Sequence, residues 1–187
     1  DARNVYENYL SMIRSSMSPN GAVPEIVPVA NGATDNTKTP SGWSDAIVTI
    51  PYELYMQYGD ISLLTDNYES MKAWISYLLR FKIDDENGDY VRHDGFYGDH
   101  LSYNDYVVGE GYYEESVNEW RKTSFSEVGT AFTAYSCSII AKVSEILGNE
   151  EDVKYYTALY NKFAKAWRDN FLEEDGITSK ASTQTSY

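Results

Sequence analysis

The residues of this chain best suited to chemistry are carboxylates set among aromatic rings in turns. The first group is Gly42-Trp43-Ser44-Asp45-Ala46, "GWSDA", between the polar stretch "PVANGATDNTKTPS" and the apolar-periodic "IVTIPYELYMQYGD". The indole of Trp43 could stack on the apolar face of a sugar ring, and the Asp45 carboxylate could accept hydrogen bonds from ring hydroxyls. A competing reading makes Asp45 an acidic residue favoured by the dipole of the first helical turn, and Trp43 a core aromatic. The second group lies in "HDGFYGDHLSYNDYV", where Gly98-Asp99-His100 puts a carboxylate and an imidazole in a tight glycine turn, with Tyr97 and Tyr103 close by. The third is Glu25, set in "VPEIVP" between prolines that could aim it at a cleft or simply leave it exposed. His93 and His100 with Asp94, Asp99 and Asp105 fit no familiar zinc or calcium spacing, so no metal is expected. No glycine-rich phosphate loop, nucleophile-elbow serine or Cys/His pair is present, and no cofactor is expected. The chemistry belongs to carboxylates. Acid–base cleavage of a glycoside needs two of them, one as acid and one as base or nucleophile.

Composition narrows the partners. A formal charge of −14 over 187 residues argues against nucleic acid and anionic membranes, and leaves a neutral ligand unaffected. A hydrophobic share of 42% with 24% charged residues is that of a folded domain. No apolar run approaches the roughly 18 residues of a membrane span, and no signal peptide is seen in this chain, which leaves its compartment open. Cys137 is the only cysteine, in the apolar "AYSCSIIA", and is expected to be a buried structural thiol. Aromatic residues make up 15%, with 18 tyrosines, a composition that suits wet clefts as well as cores.

Helices must position these groups. Apolar residues recur at helical spacing over about 2–17 (Val5, Tyr9, Met12, Ile13, Met17) and about 45–58 (Ile47, Ile50, Leu54, Tyr58). Ser44 is the expected N-cap of the second helix and Gly59 its stop, with a kink or late start at Pro51. A third helix is expected over about 60–81 with Leu63, Leu64, Met71, Trp74, Ile75, Leu78 and Leu79 inward. A fourth, over about 124–147, is apolar around most of its circumference and so buried on several sides. A fifth, over about 151–171, turns Val153, Tyr156, Leu159, Tyr160, Phe163, Trp167 and Phe171 to one face. No strand pattern competes, and the fold is all-α.

The connections alternate in length. Roughly 25 residues join helices one and two and roughly 40 join three and four, against the usual 2–8, while the other two links are tight turns. Antiparallel helices put both long loops on one end and both turns on the other. The segment after helix five, "LEEDGITSKASTQTSY", returns to the long-loop end. This is the layout of an α/α-hairpin toroid with one binding rim. Five helices leave the last without its hairpin partner, so residues 1–187 are expected to be part of one domain, truncated at both ends.

"NGAVPEIVP", "GWSDAIVTIPYELYMQYGD", "YESMKAWISYLLR", "YGDHL", "GTAFTAYSCSIIAKVSEILG" and "TQTSY" follow one another in that order. Together they resemble the catalytic domain of bacterial α-L-rhamnosidases of glycoside hydrolase family 78, whose members carry "GWGDA…PWELY…YGD" and "TQTAYAL". The resemblance spans nearly the whole chain. It implies a six-hairpin glycosidase fold, here a partial (α/α)6 barrel, and release of terminal α-L-rhamnose with inversion. The family's general acid precedes the segment matching Ala2–Met17, and its general base lies in a "WERW"-like motif well beyond "TQT". Neither motif is present; "NEWRKT" around Glu119 stands in the wrong place in the order. No residue here therefore inherits a catalytic role, and the chain alone is expected to be inactive. What the resemblance assigns is sugar binding by Trp43, Asp45, Asp99, His100 and Glu25. Family members often have tryptophan where His100 stands, which favours a hydrogen bond there over ring stacking.

Two other classes compete. A helical scaffold module would need a repeat period, and the hairpins share none. Another toroid glycosidase or a lyase shares the architecture, but a lyase acting on uronic acids needs cations where this rim is acid-rich. An incomplete toroid exposes apolar helix faces, which predicts self-association.

Overall fold

The computed structural model describes residues 2–29, 40, 42–81, 83, 88–92 and 125–176. Its helices are α1 (Arg3–Ser16), α2 (Ala46–Tyr58), the single turn α3 (Ser62–Thr65), α4 (Tyr68–Phe81), α5 (Phe125–Ile146) and α6 (Glu150–Phe171). No strand occurs among the described residues. None of the described helices is long and apolar enough to cross a membrane.

Helix α2 lies at the centre of the described part, against α1, α3, α4 and α5, and α5 packs along α6 as a hairpin. The core joins Leu10 and Ile13 of α1, Ile47, Val48 and Leu54 of α2, Leu63 and Leu64 of α3, Met71, Trp74, Ile75 and Leu78 of α4, and Ile139, Ile140 and Val143 of α5. Tyr156, Leu159 and Phe163 close it from α6. Along α1, α4 and α6 these residues recur three or four apart, as one buried helix face requires. On α1 the stripe is narrower than expected: Val5 is 67% and Met12 40% exposed, so the buried face is Leu10 and Ile13 flanked by Tyr9 and Met17. Tyr160 of α6 is likewise exposed.

Helix α5 is buried on several sides, as its composition requires. Besides its aliphatic residues it buries Thr130, Thr133, Ser136, Cys137 and Ser144. The hydroxyls of Thr133 and Ser144 donate to carbonyls one turn back, Gly129 at 2.8 Å and Ile140 at 2.7 Å, so a polar side chain enters the core satisfied. The Cys137 thiol is fully buried, and burial pushes its ionisation well up from the ordinary thiol value; it is an inert core group.

Three boundaries differ from expectation. Asp45, not Ser44, sits at the N-cap position of α2, and its side chain makes no capping bond. Ser44 is instead buried and donates to the Val23 carbonyl at 3.1 Å. The helix starts on time and runs through Pro51, which is itself buried. The expected third helix is split at Asp66-Asn67: the buried Asn67 amide donates to the Leu63 carbonyl at 2.8 Å and accepts from Arg14 of α1. An amide that bonds its own backbone competes with the helical ladder, and here it also docks the neighbouring helix. Gly59 ends α2 as expected, with φ 69° and its N–H on the Tyr55 carbonyl at 2.7 Å.

Candidate functional site

The two feet of the first long loop meet over the core. Gly21 begins the first foot with φ +94°, a conformation glycine tolerates best. A Cβ there would lie 2.3 Å from the Ala73 carbonyl oxygen, so the loop is pressed directly onto the backbone of α4. Ala22, Val23 and Pro24 follow as buried residues, and Glu25 emerges half-buried beyond them. Ser44, bonded to Val23, ties the second foot to the first.

The second foot carries "GWSDA". Ser44 donates its N–H to Pro40 at 3.1 Å, and Ala46 donates to the Trp43 carbonyl at 3.0 Å, so the segment is wound tightly into the start of α2. Gly42 has φ +80° and faces the Phe132 ring of α5, 3.0 Å from where a Cβ would stand. Trp43 is 43% exposed, and two residues on Asp45 is fully buried. Its Oδ1 accepts from Trp74 Nε1 of α4 at 2.9 Å and from Ser136 Oγ of α5 at 2.8 Å. Its Oδ2 accepts from the Gly42 N–H at 2.9 Å. The carboxylate therefore faces inward and joins the loop to two core helices.

The second long loop leaves the core beside this point. Val91 and Arg92 are buried, and the Arg92 guanidinium lies 5.7 Å from the centre of the Trp74 ring. The Arg92 N–H donates to Thr130 Oγ1 of α5 at 3.0 Å. Trp74 is thus shared by the end of the first loop and the start of the second. Glu127, also buried, adds a carboxylate to the first turn of α5.

Of the residues singled out in the sequence, Trp43, Asp45 and Glu25 are thus placed, while Asp99 and His100 lie outside the described residues. Sequence reasoning took Trp74 for plain core and passed over Arg92, Thr130, Phe132 and Ser136. A serine on an otherwise buried helix face, and an indole whose N–H must find an acceptor, were the available signals. No cluster of three or more metal-ligating side chains occurs among the described residues.

Helical hairpins with tight turns at one end, and loops carrying an indole and carboxylates at the other, define a six-hairpin glycosidase domain. The whole chain, residues 1–187, matches the model of the bacterial alpha-L-rhamnosidase 6 hairpin glycosidase domain family, and it belongs to that family. It is similar to the alpha-L-rhamnosidase of Formosa agariphila, 32% identical over 100% of this chain and 18% of that protein. It is similar also to that of Alteromonas sp. (strain LOR), 35% identical over 100% of this chain and 19% of that protein. Among solved structures, Streptomyces avermitilis alpha-L-rhamnosidase complexed with L-rhamnose superposes with a TM-score of 0.78 at 29% identity, covering 100% of this chain and 16% of that one. The alpha-L-rhamnosidase from Dictyoglumus thermophilum superposes at 0.74 with 26% identity, over 93% of this chain and 17% of that one. The chain spans less than a fifth of the length of these relatives.

Proposed function

We propose that the protein carrying this segment is an α-L-rhamnosidase that inverts configuration, and that residues 1–187 supply part of its sugar-binding rim but neither catalytic carboxyl group. The observation that carries this reading is the half-exposed Trp43 on a foot braced by buried hydrogen bonds, in a chain whose whole length matches rhamnosidase domains. A rigid indole at a loop edge offers the flat apolar surface on which the CH face of a deoxy sugar stacks. Glu25, Asp99 and His100 supply hydrogen bonds to its hydroxyls. Asp45 works from beneath rather than on the sugar.

The test is hydrolysis of 4-nitrophenyl α-L-rhamnopyranoside by the full-length protein, with the first-formed anomer followed by NMR. The expected product is β-L-rhamnose, and the 187-residue segment alone is expected to release no nitrophenol. Turnover by the segment alone, abolished by changing Glu25, Asp45 or Asp99, would place the catalytic pair inside it and overturn the reading. Val5 and Met12 of α1 and Tyr155 and Tyr160 of α6 are exposed. The isolated segment is therefore expected to associate with itself in light scattering; a compact monomer at high concentration would contradict that.

A further inference from the structure

We propose that Asp45 is a positioning residue, acting on sugar binding through Trp43; the proposal rests on the rim reading above. Three observations support it. The side chain is fully buried, whereas Trp43, two residues away, is 43% exposed. Its two oxygens accept from three donors that belong to three different parts of the fold: the Gly42 amide, the Trp74 indole and the Ser136 hydroxyl. The bond to Gly42 closes the turn from which the Trp43 side chain projects, while the other two fasten that turn to α4 and α5.

The chemistry of the donors requires a carboxylate. The indole and amide nitrogens can only donate, and the Ser136 hydroxyl is directed at Oδ1. An asparagine of the same shape still accepts from Trp74 and Ser136 through its oxygen, but turns an N–H toward the Gly42 N–H. A structural staple between helices would need only the first pair. The third bond, to Gly42, passes the hold of the first two on to the rim, so that loosening the carboxylate at Ser136 also reaches the turn, though more weakly. The Phe132 ring lies against Gly42 where a Cβ would stand, so the turn is held by a ring as well as by a carboxylate. When the carboxylate bond is removed, the indole loses its fixed direction although the helices stay in register.

The experiment is a double-mutant cycle in the full-length protein, reading KM and kcat for 4-nitrophenyl α-L-rhamnopyranoside. Trp43→Ala and Asp45→Asn are each expected to raise KM about tenfold with kcat within about twofold, the pattern of lost binding. In the Trp43→Ala background, Asp45→Asn is expected to add less than about a twofold change, because the group through which it acts is gone. Additive effects would overturn the proposal, showing that Asp45 meets the sugar itself or acts by another route. So would an Asp45→Asn enzyme with unchanged KM while Trp43→Ala raises it; in both cases the rim reading survives. If Trp43→Ala leaves KM unchanged, the rim reading and the proposal fall together. Should Asp45→Asn not fold, Ser136→Ala, which removes one donor to the same carboxylate, goes through the same cycle with an expected rise of about threefold. An additive or absent effect of Ser136→Ala would then overturn the proposal.

Discussion

Two carboxylates stitch α4 to the α5–α6 hairpin, and they do so in opposite ways. Asp45, at the loop end, is fully buried and accepts from an amide, an indole and a hydroxyl, all uncharged. Asp152, at the turn end, has a side chain 21% exposed and gathers three donors on one oxygen: Tyr68 Oη at 2.7 Å, Lys72 Nζ at 3.0 Å and Asn149 Nδ2 at 2.9 Å. Ser136 and Ser144, the α5 hydroxyls that face the two knots, are eight residues apart, about 12 Å along the helix. The turn-end carboxylate keeps contact with water and a neighbouring cation, and joins a reciprocal cap in which Asn149 accepts from the Asp152 N–H at 3.3 Å. That arrangement holds helices together at low desolvation cost. The loop-end carboxylate has been taken wholly out of water beside a half-exposed indole, a costlier placement that helix packing does not by itself require. The turn end serves stability, and the loop end uses stability to aim a side chain.

The strongest way to break this comparison is Asp45→Ala. It leaves the buried Trp74 and Ser136 donors and the half-buried Gly42 N–H without their acceptor and is expected to cost about 3–5 kcal/mol of stability, measured by chemical denaturation. A loss below about 1 kcal/mol would mean that water takes the carboxylate's place. The next effect separates glycines at the two ends. Gly21→Ala forces a methyl into the Ala73 carbonyl at positive φ and is expected to cost about 2–4 kcal/mol. Gly59→Ala, at the turn end with open space around it, meets only the left-handed backbone penalty, about 1 kcal/mol. Equal losses would remove the contrast between a loop pressed on a helix and a freestanding turn.

Smaller again is Tyr68→Phe, which deletes the hydroxyl shared by Asp152 and Ser144 and is expected to cost about 1–2 kcal/mol. The hydrogen bond from Tyr68, then the Lys72 ammonium, holds the Asp152 carboxyl below its ordinary value of 3.8. Burial, reinforced by that same carboxylate, pushes the Tyr68 phenol up to about 12. A carboxyl with a lowered folded-state pKa adds stability that is complete above pH 3.8 and is lost as pH falls through the lowered value. Tyr68→Phe should therefore flatten the acid limb of a pH–stability curve while leaving KM for a rhamnoside unchanged. A raised KM would show that the two ends are not independent.

How much of this was legible in the sequence follows from the range of each interaction. The helices were, because Met71, Trp74, Ile75 and Leu78 repeat at the spacing of one buried face, and Gly59 and Gly148 mark their ends. The division of the chain into long-loop and turn ends followed from loop lengths alone. The break at Asn67 was not legible, since Arg14, the partner that its side-chain amide meets across the fold, lies 53 residues away. The environment of Asp45 was hidden for the same reason: Trp74 and Ser136 are 29 and 91 residues distant. A one-dimensional pattern marks Asp45 as a carboxylate at a helix start, where a sugar ligand and a buried brace look alike. Arg92 was missed because nothing near it in the chain discloses the Trp74 ring it covers.

The most direct test of the central claim is calorimetric titration of the full-length protein with L-rhamnose, comparing the unaltered chain with Trp43→Ala and Tyr68→Phe. The expected result is binding that weakens about tenfold on losing the indole and stays unchanged on losing the phenol hydroxyl. Binding indifferent to Trp43, or weakened equally by both changes, would contradict a sugar-binding rim at the loop end.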